Sequence, residues 1–243
     1  MQMVVDGTLI NYSDQGAGPV LLCVHGWMQD HQTFDKLRDE LTGYRMVAID
    51  LPNFGASQQT DAIVTIANYG KLLGAFVKKL GLKKFTAVGH SMGGQILIQA
   101  TADGQLAPQR LVLLASAGVR DGRKMRKFLL RLMAKTAGIL VPLRFKKQAY
   151  RWLKSDYQPD LSVIHKQVID NVLKTDVVAA AGRVTIPSLL IYGSSDTSTP
   201  LSVARRLDAA LSNSQLVIVA DEQHWAHNSA APVVARHILE FLQ

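Results

Sequence analysis

The segment Phe85–Gly94, with the sequence FTAVGHSMGG, decides the fold class of this 243-residue chain. Its first four residues form an apolar run typical of a buried strand, and a helical pattern begins at Gln95. Ser91 therefore lies in a tight strand-to-helix turn of the form Gly-x-Ser-x-Gly, between Gly89 and Gly93. A Cβ at either glycine would strike neighbouring backbone in such a turn, which lifts the serine hydroxyl clear of the sheet. In this setting the pattern indicates a nucleophilic serine.

Apolar runs and amphipathic segments alternate on both sides of this turn. Strands are predicted at residues 20–24, 46–49, 85–88, 111–114, 188–192 and 216–219, and helices at 33–41, 66–80, 95–102, 201–211 and 232–242. A hairpin with Asp6-Gly7 as its turn precedes them. The alternation predicts an α/β fold with a mostly parallel sheet flanked by helices. A ligand would bind beyond the carboxyl ends of the strands.

A long helical stretch interrupts this alternation. From residue 120 to residue 184 the apolar spacing is helical and no convincing strand is found. The alternation resumes at Ser188. We therefore predict a helical insertion between two strands, placed to cover the edge where the strands end.

A serine hydroxyl needs a general base, and the base needs an acid that orients it. In enzymes with this turn the chain order is nucleophile, acid, histidine. Asp196 follows the strand at 188–192, and His224 follows the strand at 216–219, so both are expected at the edge that carries Ser91. Asp221 is a rival acid and His227 is a rival base.

The negative charge that develops on an attacked carbonyl oxygen needs two backbone N–H donors. We predict one donor at Met92, directly after the nucleophile, and the other at Trp27, in the loop after the strand at 20–24. No metal and no cofactor is needed for this chemistry. The remaining histidines are interpreted as packing or surface residues without a role in proton transfer: His31, His90, His165 and His237.

These stretches together resemble the α/β-hydrolase superfamily over nearly the whole chain. The resemblance rests on the turn at Ser91 and on four further segments: His25-Gly26, the loop 50–57 (DLPNFGAS), the Gly-x-x-Asp loop of Asp196, and His224. Two positions depart from the family pattern: Asn53 and Gln223 stand where many relatives carry Gly. Because Asn tolerates left-handed backbone conformations, the loop at Asn53 is expected to keep its shape.

The resemblance implies that the helical insertion is a cap, or lid, over the substrate pocket. The chain then divides into a first core part at 1–118, a cap at 119–184 and a second core part at 185–243. Haloalkane dehalogenases and related epoxide hydrolases carry Asp at the position of Ser91, which argues against both. The family chemistries that remain are hydrolysis of esters, lactones, thioesters or lipids, perhydrolysis, and cleavage of carbon–carbon bonds next to a carbonyl.

The basic charge of the chain is concentrated in the predicted cap. The net charge is +8 with a pI near 9.6, and residues 119–154 hold twelve Lys and Arg against one acid, Asp121. Apolar residues are interspersed among them, so the leading interpretation is a cap with an apolar pocket side and a solvated basic face. A weak contact with an anionic membrane surface and a carboxylate-bearing substrate stay open as alternatives. No nucleic-acid-binding motif is present, so no nucleic-acid partner is expected.

Several other classes are excluded by composition. The single cysteine, Cys23, rules out an internal disulfide and a cysteine-based zinc cluster, and its apolar neighbours predict that it is buried. The sequence contains no run of about 18 uncharged apolar residues, so no transmembrane helix is expected. The N-terminus lacks the pattern of a signal peptide, so a cytoplasmic location is expected. The sequence leaves monomer and dimer open.

We therefore predict a cofactor-independent serine hydrolase that cleaves a small or medium apolar carboxylic ester through an acyl-enzyme. The same residues could instead hydrolyse a carbon–carbon bond in a dicarbonyl product of aromatic degradation. A lipid hydrolase recruited to a membrane surface by the basic cap is a third reading. A fourth is a receptor-like protein that binds a ligand in the pocket without turnover.

Overall fold

The computed structural model describes residues 1–120 and 163–243. Most of the predicted cap, including all of its basic cluster except Arg120, lies outside these residues, so the boundaries of the cap stay a prediction. Within the described ranges, no helix is long and apolar enough to cross a membrane.

In the described residues eight strands form one sheet: β1 Gln2–Val5, β2 Thr8–Gln15, β3 Val20–Val24, β4 Arg45–Ile49, β5 Phe85–His90, β6 Arg110–Leu114, β7 Ser188–Gly193 and β8 Ser214–Val219. Their order across the sheet is β1-β2-β4-β3-β5-β6-β7-β8. The strands β1 and β2 form the predicted hairpin, β2 pairs antiparallel with β4, and all pairs from β4 to β8 are parallel. This confirms the mostly parallel sheet.

Helices cover both faces of the sheet. In chain order the described helices are a 3₁₀ turn His31–Phe34, α1 Asp35–Glu40, α2 Ile66–Leu80, α3 Met92–Ala102, α4 Val163–Lys174, α5 Val178–Ala181, α6 Leu201–Ala210, α7 Ala226–Ser229 and α8 Ala231–Leu242. Buried residues of α2 to α6 pack on one face, and those of α1, α7 and α8 pack on the other. The structure is therefore an α/β fold with helical layers on both sides of a mostly parallel sheet, as predicted.

The central strands are apolar throughout because both of their faces are buried. Along β3, Leu22 and Val24 belong to one core cluster, whereas Leu21 and Cys23 belong to the other. Cys23 is fully buried as predicted, and burial raises the pKa of its thiol well above the usual range. Its place is therefore that of a small core residue.

The ends of α2 follow standard capping chemistry. The hydroxyl of Thr65 accepts a hydrogen bond from the Asn68 amide at 3.1 Å at the start of the helix. Gly81 ends the helix in the left-handed conformation, with φ of 71°, as the sequence predicted. This cap fixes the approach to β5, the strand that leads into the turn at Ser91.

The chain from residue 163 onward packs directly against α3. The buried side chain of Gln95 donates to the carbonyl oxygens of Val172 (3.1 Å) and Thr175 (2.9 Å). The amide of Val177 donates to the carbonyl oxygen of Gly118 at 2.7 Å. Helix α4 is thereby fixed to the helix that follows the nucleophile turn.

Candidate active site

Ser91 occupies the strained turn between β5 and α3. Its backbone has φ of 51° and ψ of −113°, a combination that a residue with a Cβ rarely adopts. The turn is held by hydrogen bonds from the Ser91 amide to the Leu114 carbonyl and from the Ala117 amide to the Ser91 carbonyl, both 3.0 Å. A Cβ at Gly89 would lie 2.6 Å from the Gly94 nitrogen, so the close approach of strand and helix requires glycine.

Asp196 and His224 form a buried hydrogen-bonded pair beyond the ends of β7 and β8. The distance from Asp196 Oδ2 to His224 Nδ1 is 2.8 Å. The other carboxylate oxygen accepts from the amides of Ser198 (2.7 Å) and Thr199 (3.0 Å), and the Thr199 hydroxyl donates to Oδ2 at 2.7 Å. Burial alone would raise the pKa of Asp196, but the hydrogen bonds from His224 and Thr199 outweigh it and hold the pKa below its usual value. The carboxylate is therefore charged where it faces the imidazole.

The loop of His224 lies against the strand that ends at the nucleophile. His90, the residue before Ser91, places its ring centroid 4.8 Å from that of His224. Its Nε2 atom is 3.1 Å from the backbone carbonyl oxygen of His224. The structure thus brings the segments of Ser91, Asp196 and His224 to one edge of the sheet, which is the edge predicted from the sequence.

The two rival residues occupy other environments. Asp221 is exposed, and its amide donates to the Ser194 hydroxyl at 2.8 Å. His227 is buried, with Nε2 3.2 Å from the Thr33 hydroxyl. Burial lowers the pKa of His227 to about 3, which makes it a weak base near neutral pH. Of the two candidate acids, Asp196 is the one that is hydrogen-bonded to His224.

The loop after β3 approaches Ser91 closely. A Cβ at Gly26 would lie 3.2 Å from the Cβ of Ser91, so Trp27, the next residue, begins beside the nucleophile. The amide of Met92 belongs to the first turn of α3, where helical N–H groups lack helical acceptors and the helix dipole favours negative charge. The backbone of Trp27 thus begins close to Ser91, and Met92 directly follows Ser91 in the chain. The indole of Trp27 also packs in the core.

His25 connects the loops that follow β3 and β4. Its Nε2 accepts a hydrogen bond from the Leu51 amide at 2.9 Å, which leaves Nδ1 as the donor to the Gly26 carbonyl oxygen at 2.6 Å. Burial lowers the pKa of His25 to about 4, so the ring is neutral and this single tautomer satisfies both partners. The Gly26 backbone is thereby held in place beside Ser91.

The loop after β4 is organised by a buried carboxylate. Asp50 accepts hydrogen bonds from the His31 amide, the Ala56 amide and the Asn11 side chain, at 2.8 to 2.9 Å. Burial opposes its charge, but these donors hold the pKa of Asp50 below its usual value. Asn53 has φ of 75°, the left-handed conformation expected for it.

The histidines interpreted as packing residues have more specific contacts than the sequence suggested. The ring of His31 lies 2.7 Å from Asp50, and Nε2 of His165 on α4 lies 2.7 Å from the carbonyl oxygen of Asn53. His237 is close to Glu240, at 3.3 Å. The contacts of His31 and His165 attach other elements to the loop after β4, and only the tertiary structure shows them.

Comparison with known proteins identifies the family. The sequence matches the protein family described as the alpha/beta hydrolase family over residues 21–236. The chain belongs to this family. Within the described residues of this hydrolase, no group of three or more His, Cys, Asp and Glu side chains is placed to hold a metal ion.

Curated relatives of this hydrolase span nearly its whole length. It is 28% identical to the uncharacterized hydrolase YugF of Bacillus subtilis, over 100% of this chain and 97% of the relative. It is 27% identical to pimeloyl-(acyl-carrier protein) methyl ester esterase of Shewanella oneidensis, over 94% of this chain and 90% of the relative. It is 26% identical to 2-hydroxy-6-oxononadienedioate/2-hydroxy-6-oxononatrienedioate hydrolase of Cupriavidus pinatubonensis, over 96% of this chain and 90% of the relative. The family and these relatives thus support a hydrolase.

Proposed function

We propose that this hydrolase cleaves a carboxylic ester of a small or medium apolar acid, through an acyl-enzyme on Ser91. The observation that carries the proposal is the 2.8 Å contact between Asp196 and His224 at the edge where the strained turn presents Ser91. An acid that fixes an imidazole beside a serine is the arrangement that activates a hydroxyl nucleophile. The methyl ester esterase relative makes an ester the leading substrate.

The acid–imidazole contact sets the direction of proton transfer. His224 donates its Nδ1 proton to Asp196, so its Nε2 atom is the proton acceptor. Ser91 Oγ attacks the ester carbonyl carbon, and its proton passes to Nε2. The amides of Trp27 and Met92 donate to the oxyanion that forms. The charged Asp196 stabilises the imidazolium while it exists.

The second half of the reaction uses the same groups. When the tetrahedral intermediate collapses, the bond to the alcohol oxygen breaks and His224 gives its proton to that oxygen. A water molecule then gives a proton to His224 and attacks the acyl carbon of the Ser91 ester. Collapse of the second intermediate releases the carboxylic acid and returns the proton to Ser91. No other reactant is required.

A fluorophosphonate probe tests whether Ser91 is activated. We expect the folded protein to gain the mass of one probe, located on the peptide that contains Ser91, because phosphonylation needs the same base as acyl transfer. The Ser91→Ala variant and the urea-unfolded protein are the controls, and neither should be labelled. A folded protein without label, or with label on another residue, would contradict the proposal.

Carbon–carbon bond hydrolysis is the second candidate, favoured by the similarity to a relative of that activity. The same serine and histidine would serve it, so the site residues do not separate the two reactions. We expect kcat/KM for p-nitrophenyl esters of graded chain length to exceed that for a 2-hydroxy-6-oxo-dienoate by at least about 100-fold. The opposite order would assign the carbon–carbon reaction to this chain. Tight binding of either compound without turnover would instead indicate the receptor-like function.

A further inference from the structure

Gln29 connects two segments that the proposed reaction needs. Its side-chain oxygen Oε1 accepts a hydrogen bond from the Gly26 amide at 2.8 Å, and the same oxygen lies 2.8 Å from Nδ1 of His90. The first partner precedes Trp27 in the loop after β3, and the second precedes Ser91 at the end of β5. One half-buried carboxamide therefore joins the backbone of the predicted oxyanion loop to the strand that carries the nucleophile.

The orientation of this carboxamide is fixed by its neighbours. The Gly26 amide can only donate, so it must face Oε1, and Nε2 of Gln29 then donates to the Thr33 hydroxyl at 2.7 Å. It follows that Nδ1 of His90 carries a proton and donates it to Gln29. Nδ1 is therefore the protonated nitrogen of His90 in this arrangement.

His90 lies between two oxygen acceptors. Nδ1 faces Oε1 of Gln29, and Nε2 faces the carbonyl oxygen of His224 at 3.1 Å. Burial, together with the neighbouring His227 and His224, lowers the pKa of His90 well below its usual value, so the ring is neutral and has one proton. With Gln29 in place this proton stays on Nδ1. Without Gln29, the carbonyl oxygen of His224 is the acceptor that remains.

Packing at Gly26 leaves no spare room at this junction. A Cβ on Gly26 would lie 2.6 Å from Oε1 of Gln29, 3.0 Å from Nδ1 of His90 and 3.2 Å from the Cβ of Ser91. The carboxamide, the imidazole and the nucleophile thus converge on one backbone position. A shift of Gln29 would change the placement of the adjacent Trp27 amide relative to Ser91.

We infer that Gln29 is a positioning residue, which holds the Gly26-Trp27 backbone against Ser91 and fixes the tautomer of His90. The inference rests on the proposed function, because it assigns Gln29 a role in the placement of the Trp27 amide toward the oxyanion. It acts through Gly26 and His90 and does not contact the substrate. A misplaced donor weakens the transition state more than the bound ester, since the charge on the oxygen develops only during attack.

Replacement of Gln29 by Met tests this role, because Met has a similar length and lacks the acceptor. We expect kcat for a p-nitrophenyl ester to fall by about 10- to 100-fold, with KM changed by less than about threefold. Affinity for a trifluoromethyl ketone, whose adduct with Ser91 carries an oxyanion, should fall by a similar factor. The matched control is Gln32→Met, the same substitution at an exposed residue of the nearby 3₁₀ turn His31–Phe34, which should retain wild-type kcat.

Nitrogen NMR of the histidine rings separates positioning from a general loss of structure. Wild-type His90, assigned by its absence in His90→Asn, should show the proton on Nδ1, and Gln29→Met should move it to Nε2. Gln29→Glu retains an oxygen acceptor and should recover most of the lost kcat. A Gln29→Met protein with wild-type kcat, or with lower kcat and an unchanged His90 tautomer, would overturn the inference.

The fluorophosphonate experiment keeps the two proposals distinguishable. If the wild type neither reacts with the probe nor hydrolyses an ester, the proposed function fails, and the catalytic role of Gln29 fails with it. If the wild type reacts at Ser91 and Gln29→Met is labelled at the same rate, only the role of Gln29 is refuted. If Gln29→Met is labelled more slowly in proportion to its kcat, both proposals are supported.

Discussion

Replacement of Asp196 by Asn is expected to lower kcat by about 10⁴-fold while the protein stays folded. The reason is the set of donors around the carboxylate. Oδ1 accepts from the amides of Ser198 and Thr199, so the Asn oxygen must remain on that side. Its NH₂ group then faces His224 and donates to Nδ1. The imidazole proton moves to Nε2, which can no longer accept the proton of Ser91.

The rival acid provides the control for this prediction. Asp221→Asn makes the same chemical change at an exposed residue near His224 and should keep kcat within about twofold of the wild type. Initial rates with a p-nitrophenyl ester give kcat, and the rate of fluorophosphonate labelling should fall in parallel for Asp196→Asn. Urea unfolding checks that both variants remain folded. An Asp196→Asn enzyme within about tenfold of wild-type kcat would show that another group orients His224.

The sequence was sufficient to predict the fold and the edge of the sheet where the candidate site lies. Strands buried on both faces are continuous apolar runs, and the carboxyl ends of parallel strands meet at one edge. Ser91 and Asp196 each follow such a run within a few residues, so their placement depends on local pattern and one topological rule. His224 follows from the same rule.

The start of α3 was predicted wrongly, three residues too late. The helix begins at Met92, with Ser91 in the capping position, whereas Gln95 was expected as its first residue. Gly93 and Gly94 have low helix propensity, so the pattern gave no helical signal there. The close approach of this turn to β3 requires glycine, since a Cβ on Gly93 would strike the Val24 carbonyl oxygen. Tertiary packing therefore explains both why glycines stand at these positions and why the helix begins before them.

The sequence did not reveal two kinds of contact at the candidate site, one local and one between distant segments. Thr199 contacts Asp196 within one loop, and its hydroxyl three residues after an acid was a signal that could have been used. Gln29 and His90 are separated by 61 positions, and neither lies in a motif that names the other as its partner. Such contacts arise only when loops from different strands meet.

Lowering the pH from 7 to 5 is expected to reduce the free energy of unfolding by roughly 6 kcal/mol, about 2 kcal/mol for each of three buried histidines. Burial lowers the pKa of His25 to about 4, that of His227 to about 3, and that of His90 well below its usual value. These rings stay neutral in the folded protein at pH 5. In the unfolded chain they regain a pKa near 6.5 and bind protons below it.

The direction of the effect follows from which state binds more protons. Below pH 6.5 the unfolded chain binds up to three protons that the folded protein does not, so stability is fully present above pH 6.5 and falls as the pH decreases. The loss approaches about 4 kcal/mol per pH unit once the unfolded histidines are fully protonated. Asp196 and Asp50, whose pKa values are lowered in the fold, add a further loss only below about pH 3.8.

Urea unfolding at pH 7, 6 and 5 measures this linkage, and the slope of the unfolding free energy against pH counts the protons taken up. We expect close to three, with an unchanged dependence on urea concentration. His227→Gln removes one of the three rings. The free energy of unfolding that this variant loses between pH 7 and 5 should therefore be smaller than the wild-type loss by about 2 kcal/mol, whatever its stability at pH 7. Uptake of fewer than two protons would mean that the buried rings are charged in the folded protein. A charged His90 could donate to Gln29 and to the His224 carbonyl at once, so the same titration also tests the single-proton arrangement inferred for that ring.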